Sequence, residues 1–243
     1  MLVHTTKKHQ QCQELFDAWY PNYRNAGQLY QDLVSDHIEK HSRVLDLGCG
    51  QSTLADRQMA SAQFAAGIDT SFTDLKANRA VGFPISGMAE VVPFARNSFD
   101  VVLSQWVMEH LPRPDLAFTE VARILKPGGT FIVFTTNIYS YIPLASRLVP
   151  SQIQSKLLRT LLGRPQHETF PTHYRANSRQ ALTKLAEKSG LVMESCIYSG
   201  NPFYLTFSRL LFLGALLFER ITDLPPLQRL KLYNLGVFRK PSV

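Results

Sequence analysis

From residue 44 to residue 136, short apolar runs alternate with segments of helical periodicity. The runs are Val44–Leu47, Phe64–Ile68, Pro84–Ser86, Phe99–Ser104 and Thr130–Thr135, and segments near 52–60, 71–79 and 114–126 separate them. Strands that read as nearly continuous apolar stretches are covered on both faces. Strand, helix, strand in repeated order therefore predicts an α/β fold around a parallel sheet. Right-handed crossovers place a ligand crevice at the carboxyl ends of such strands. Ahead of this core, residues 9–40 read as helical. They break at Pro21 and resume with Leu29, Leu33, Val34 and Ile38 at helical spacing.

The regularity stops after Thr136. Pro143, Pro150, Gly163, Pro165 and Pro171 interrupt residues 137–175, which predicts an insertion with a helical piece near Gln152–Leu162. Ser178 is a candidate N-cap for a helix running to Lys188. Leu191–Tyr198 alternates as a strand, and Leu232–Arg239 reads as the last strand. Between those two lies Phe203–Phe218, apolar nearly all round as a helix and broken mainly by Arg209. It falls short of the roughly 20 apolar residues of a membrane span. A helix of that kind is buried in protein, in lipid or in a partner. The predicted division is an N-terminal helical cap (1–42), a ligand-binding core (43–136), an insertion that caps the acceptor (137–176), and a C-terminal part of the core (177–243). The last part carries an apolar helical insertion at about 200–230.

Charge adds an asymmetry to this picture. The net charge of +7 hides a balance of −2 over residues 1–136 and +9 over residues 137–243. The basic half suits anionic lipid, nucleic acid or an acidic substrate, and a solvated face serves equally. Residues 1–8 lack the apolar core of a signal peptide. Cys12, Cys49 and Cys196 are scattered and show no metal-ligand spacing. A cytoplasmic setting without a metal is expected.

The first candidate chemistry stands where Val44–Leu47 ends in Gly48-Cys49-Gly50. Glycines serve where backbone turns sharply and approaches a ligand. Asp69 ends the next run, as an acid accepting from ribose hydroxyls would, or as a helix N-cap before Thr70-Ser71. Thr53 stands where a dinucleotide-binding turn has its third glycine, which opposes a nucleotide-dependent oxidoreductase. Groups able to take a proton come after the fourth run and fill the insertion: His110, His167, Glu168, His173 and Tyr174. The stretch His167–Arg175 is expected to line an acceptor pocket.

Downstream, Gly87–Val102 leads to Glu109-His110-Leu111 and then to Glu120–Gly129 with its Lys126-Pro127-Gly128-Gly129 ending. With these motifs, residues 40–136 resemble the class I S-adenosylmethionine-dependent methyltransferases, in particular the type 11 group that includes quinone-biosynthesis methyltransferases. The resemblance implies a Rossmann-like, seven-stranded mixed sheet whose last strand runs antiparallel, with helical cap insertions. It implies S-adenosylmethionine as cofactor. Gly48 and Gly50 would approach its methionine part and Asp46 would orient the turn. Asp69 would hold the ribose, and Ala89 would offer its N–H to the adenine. Ser104-Gln105 would lie under the sulfonium and the methionine amine, and Arg24 or Tyr23 would close over the carboxylate. Met88 departs from the family, which commonly has an acid there for the adenine amino group.

The expected function is methyl transfer to a small or lipid-like acceptor, with His110, His173 and Tyr174 as candidate catalytic groups. A non-catalytic cofactor-binding protein in an assembly is the second reading. Asn201-Pro202-Phe203-Tyr204 resembles a nucleic-acid amino-methylation motif but stands far from the fourth strand, so a turn is expected and nucleic acid is not. The 203–218 run with nearby Arg229 and Lys231 predicts peripheral contact with a membrane's inner face. Oligomeric state is left open.

Overall fold

The computed structural model describes residues 7–141, 143 and 171–242. In chain order its first elements are α1 (Lys7–Trp19), α2 (Ala26–Ser35), β1 (Arg43–Leu47), α3 (Asp56–Ser61), β2 (Phe64–Asp69), α4 (Phe72–Ala77) and β3 (Phe83–Ser86). Next come β4 (Phe99–Gln105), α5 (Pro114–Ile124), β5 (Leu125–Thr136), α6 (Arg179–Ser189), β6 (Val192–Ser199), α7 (Arg209–Thr222) and β7 (Tyr233–Arg239). Short 3-10 turns at Pro202–Leu205 and Pro225–Leu230 flank α7. The expected helix near Gln152–Leu162 lies outside the described residues, as do His167 and Glu168. The chain divides into two compact units. One is built from the described residues within Gly27–Thr136, Phe170–Ile197 and Asn234–Val243, the other from those within Met1–Ala26, Asn137–Thr169 and Tyr198–Tyr233.

The first unit holds the sheet, in the order β3-β2-β1-β4-β5-β7-β6. β1 sits centrally and pairs in parallel with β2 and β4, so that Leu47 stands beside Ile68 on one side and Ser104 on the other. This register brings the carboxyl ends of three strands to one edge. β5 and β7 run antiparallel, for the Gly128 N–H donates to the Lys240 carbonyl at 2.9 Å while the Lys240 N–H donates to Gly129 at 2.9 Å. Val44, Leu45, Leu47, Val102, Leu103 and Ile132 are buried, as nearly continuous apolar strands require. Helix α5 starts with Pro114 in its first turn and turns Ala117, Phe118, Val121 and Ile124 inward. The Phe118 ring meets Phe131 and Phe238 edge-on at 5.3 and 5.5 Å. On α6, Ser178 acts as the N-cap, accepting from the Ala181 N–H at 3.2 Å.

The second unit is helical. Phe16 of α1 packs against Phe203 at 4.9 Å, and Phe203 against Phe212 of α7 at 5.6 Å. Residues 203–218 do not form one helix. Asn201 accepts from the Phe203 N–H at 3.1 Å and starts the 3-10 turn, then Ser208 caps a separate α7 that begins at Arg209 and runs to Thr222. Nor is α7 apolar all round in effect: Phe212, Ala215, Leu216, Glu219 and Thr222 face inward. Glu219, almost fully buried, is held by the Lys231 ammonium at 2.9 Å.

Another departure concerns α3, expected from Ser52 but starting at Asp56. The Thr53 hydroxyl accepts the Ala55 N–H at 3.2 Å and the Gln105 side chain accepts the Leu54 N–H at 3.0 Å. Side-chain acceptors thus take the amides that a helix would have turned inward.

Candidate active site

Residues at the carboxyl end of β1 surround a cavity of about 250 Å³, lined by Asp46, Gly48, Cys49, Gly50, Ser52, Thr53, Leu54, Gln105 and Trp106. Gly48 and Gly50 have φ of +69° and +48°, the left-handed region that side chains avoid. A Cβ on Gly48 would also run into the Val107 side chain, while one on Gly50 would meet nothing within 4 Å. The first glycine is needed for packing. The second leaves open space into which a ligand fits.

The turn is held from several sides. The Gly48 N–H donates to the Ile68 carbonyl at 2.7 Å, and the Gly50 N–H to the Asp69 carboxylate at 2.9 Å. The Asn78 amide donates to the Cys49 and Gly50 carbonyls at 3.0 and 2.9 Å. Asn78 escaped sequence reasoning, because nothing in its neighbourhood marks it as a clamp. Asp69 also accepts from the Ser71 N–H at 2.8 Å, and the N-cap of α4 is Ser71, not Asp69. Gly87 donates to the Asp69 carbonyl at 3.0 Å, which brings the Met88-Ala89 turn beside Asp69. Arg123, paired with Glu120 at 2.8 Å, secures the segment after that turn by donating to the Val92 and Phe94 carbonyls.

Asp46 is the electrostatic centre. Its carboxylate is buried, and among the described residues neither oxygen has a hydrogen-bond partner. Burial pushes its pKa up to about 7; the charges of Asp69 and Asp56 push the same way, and the nearby Thr53 hydroxyl offsets only part. The Ser104 hydroxyl, at the end of β4, is likewise buried without a partner. Burial above all, with Asp46 and Asp69 adding to it, raises the Cys49 thiol to about 12, which makes it inert packing. Two buried acceptor groups beside an open glycine turn suit a ligand that brings donors and positive charge.

Trp106 is a residue that the sequence does not point to. It stands just after β4 with φ of +56°, lines the cavity, and is 43% exposed. Its N–H donates to the Phe134 carbonyl at 2.8 Å and its ring lies 5.2 Å from Phe134. A bulky residue held there stores about 1–3 kcal/mol of strain, a feature that gathers at functional sites. Backbone strain leaves no mark in a sequence.

Of the predicted residues, Asp46, Gly48 and Gly50 line the cavity; Ser104 and Asp69 stand on the adjoining strands, and Met88 and Ala89 in the turn after β3, without lining it. Arg24 belongs to the helical unit. The three catalytic candidates meet around one segment after β4. The Glu109 carbonyl accepts from the His173 and Tyr174 N–H groups at 2.7 and 3.2 Å, and His110 Nδ1 bonds the Pro171 carbonyl at 3.1 Å. Beneath them, the buried Glu109 carboxylate accepts from the Thr135 and Thr136 hydroxyls at 2.8 and 3.0 Å.

A family described as the methyltransferase domain matches residues 45–133, the stretch that builds this glycine turn, Asp69 and the strand ends around them. Over those residues the chain is similar to the class I S-adenosylmethionine-dependent methyltransferases. The cofactor that this domain implies is S-adenosylmethionine, and the unpartnered Asp46 and Ser104 with the open Gly50 fit a cationic ligand of that kind. Relatives include a demethylmenaquinone methyltransferase of Symbiobacterium thermophilum, 31% identical over 52% of this chain and 59% of that protein. This chain thus spans under two thirds of that relative. A ubiquinone biosynthesis O-methyltransferase of Xanthomonas oryzae is 27% identical over 67% of this chain and 72% of that one. Among solved structures, an S-adenosylmethionine-dependent methyltransferase from Mesorhizobium loti has the same fold, with a TM-score of 0.58 at 16% identity over 88% of this chain and 97% of that one.

Proposed function

We propose that the protein transfers the methyl group of S-adenosylmethionine to a small, lipid-like acceptor, with a quinol or related phenol as the first class to test. The observation that carries the reading is the buried, unpartnered Asp46 carboxylate beside the left-handed Gly48–Gly50 turn. The acceptor class comes from relatives named for menaquinone and ubiquinone biosynthesis. When bound, the cofactor supplies a methyl group activated by a sulfonium.

The chain's own residues then divide the work. Gly48 and Gly50 admit the ligand to the backbone, and Asp46 provides the counter-charge in a site that excludes water. Asp69 retains acceptor capacity beyond its two N–H bonds and is assigned to the ribose hydroxyls. Ala89 is assigned to the adenine through its N–H, with Met88 packing on the ring. Ser104 is assigned to the methionine end.

An acceptor hydroxyl must lose a proton, and His110 is assigned as the base. A carbonyl at Nδ1 only accepts, so the proton of the neutral ring sits on Nδ1 and Nε2 is the accepting nitrogen. His173 and Tyr174, fixed by their backbone bonds to Glu109, are assigned to orienting the acceptor.

Calorimetric titration with S-adenosylmethionine and S-adenosylhomocysteine, and then turnover on a panel of demethylated quinols, tests the reading. Saturable binding of both and a methylated quinol are expected. His110→Ala is expected to lower kcat by about 100-fold while leaving cofactor affinity unchanged. Binding without turnover across the panel would overturn methyl transfer in favour of a cofactor-binding role.

A further inference from the structure

The outward side of α7 carries a continuous apolar stripe. Leu210, Gly214, Leu217, Ile221 and, just past the helix end, Leu224 recur every three or four residues and so share one face. Leu210, Leu217 and Ile221 are 79%, 53% and 46% exposed. No polar side chain interrupts this line. The opposite face, from Phe212 to Thr222, is the one that packs on Phe203 and the rest of its own unit.

Charge identifies what the stripe faces. Both acids of this region are turned to internal work: Glu219 is paired with Lys231 at 2.9 Å, and Asp223 with Lys231 at 3.0 Å and the Tyr20 hydroxyl at 3.0 Å. The cations Arg209 and Arg220 are exposed on the flank of the stripe, Arg220 lying over the Tyr20 ring. Within residues 200–231 the cations Arg209, Arg220, Arg229 and Lys231 outnumber the acids Glu219 and Asp223. An apolar line edged by arginines matches the boundary between acyl chains and anionic headgroups. The helix has 14 residues, and no described helix is long and apolar enough to cross a membrane. Lying in the plane is the geometry left to it.

We propose that α7 seats its outer face in an anionic lipid leaflet, with Leu210, Leu217 and Ile221 among the acyl chains and Arg209 and Arg220 at the phosphates. This goes beyond the methyl-transfer reading and stands without it, since binding to lipid is read with no cofactor or acceptor present.

Co-sedimentation with vesicles tests it, using phosphatidylcholine alone or mixed with about one third phosphatidylglycerol. The full chain is expected to pellet with the mixed vesicles and to stay largely in solution with the neutral ones. Leu217→Asp and Ile221→Asp, both at exposed positions, are each expected to cut partitioning by about tenfold or more. Arg209→Glu with Arg220→Glu leaves the apolar stripe intact and is expected to cut it several-fold, as added salt does for the wild type. Circular dichroism and the melting temperature verify that each variant is folded. Absence of the wild type from the mixed-vesicle pellet, or equal pelleting of folded Leu217→Asp, overturns the proposal. So does a dimer in sedimentation velocity that Leu217→Asp dissociates, because the stripe then belongs to a second copy of the chain.

Discussion

Asp46 in the sheet unit and Glu219 in the helical unit are both carboxylates withdrawn from solvent, and among the described residues only Glu219 is paired with a cation. Lys231, itself buried, reaches it at 2.9 Å, while Asp46 has no hydrogen-bond partner among the described residues. Burial raises the pKa of both. The Lys231 charge and hydrogen bond pull that of Glu219 back. An acid that the fold neutralises by itself is structural. An acid that the fold isolates beside an open turn is left for a ligand to neutralise.

The largest effect is expected on the neutralised side. Lys231→Met leaves Glu219 buried without its cation and is expected to cost about 3–5 kcal/mol of stability, read by urea unfolding. Pairing it with Glu219→Leu removes both charges and is expected to restore most of the loss. If Lys231→Met alone costs under about 1 kcal/mol, the pair belongs with weak surface bridges and the contrast with Asp46 fails.

Asp46→Asn is expected to move stability the other way. A folded-state pKa raised to about 7 means that the folded protein keeps a proton which the unfolded chain releases near 4. Stability from this group is full below that lower value and is lost as pH rises through about 7. The cofactor-free wild type is therefore expected to lose stability between pH 4 and pH 7. Asp46→Asn removes that slope and is expected to gain about 1–2 kcal/mol at pH 8, the amide keeping some burial penalty. In calorimetry the same variant is expected to bind S-adenosylmethionine about tenfold or more weakly. A stable variant with unchanged affinity would detach Asp46 from the ligand.

How far these two acids could be read from the chain differs. The strand around Asp46 is otherwise apolar and ends in two glycines, and period and punctuation alone place β1 within a residue of its observed start. The same holds for β2, β4 and β7, which are mostly apolar and largely buried. Glu219 sits in a segment where hydropathy misleads. Ser208, the cap that starts α7, stands between Thr206 and Arg209 in an otherwise apolar stretch, and the inward glutamate is answered by a lysine 12 residues later that no local pattern connects to it. Likewise Gln105, whose side chain holds Leu54 out of α3, and the left-handed Trp106 depend on contacts across the sheet's edge, not on their neighbours in sequence.

The smallest expected effect comes from adding an acid where burial is absent. Met88 is exposed just past the end of β3, at the position where the resemblance noted in the sequence leads to the expectation of a carboxylate for the adenine amino group. Met88→Asp supplies that acceptor in a site still open to water. An exposed hydrogen bond of this sort is worth about 0.5–1.5 kcal/mol, so calorimetry is expected to show S-adenosylmethionine binding tightened by about three- to tenfold. Stability and its pH dependence are expected to stay within about 0.5 kcal/mol of the wild type, since a solvated carboxylate keeps its ordinary titration. A change in the pH slope comparable to that of Asp46 would mean that charge at this edge, not isolation from solvent, sets the behaviour of the site's acids. A fall in affinity would mean that the packing of the methionine side chain on the adenine is worth more than the added acceptor.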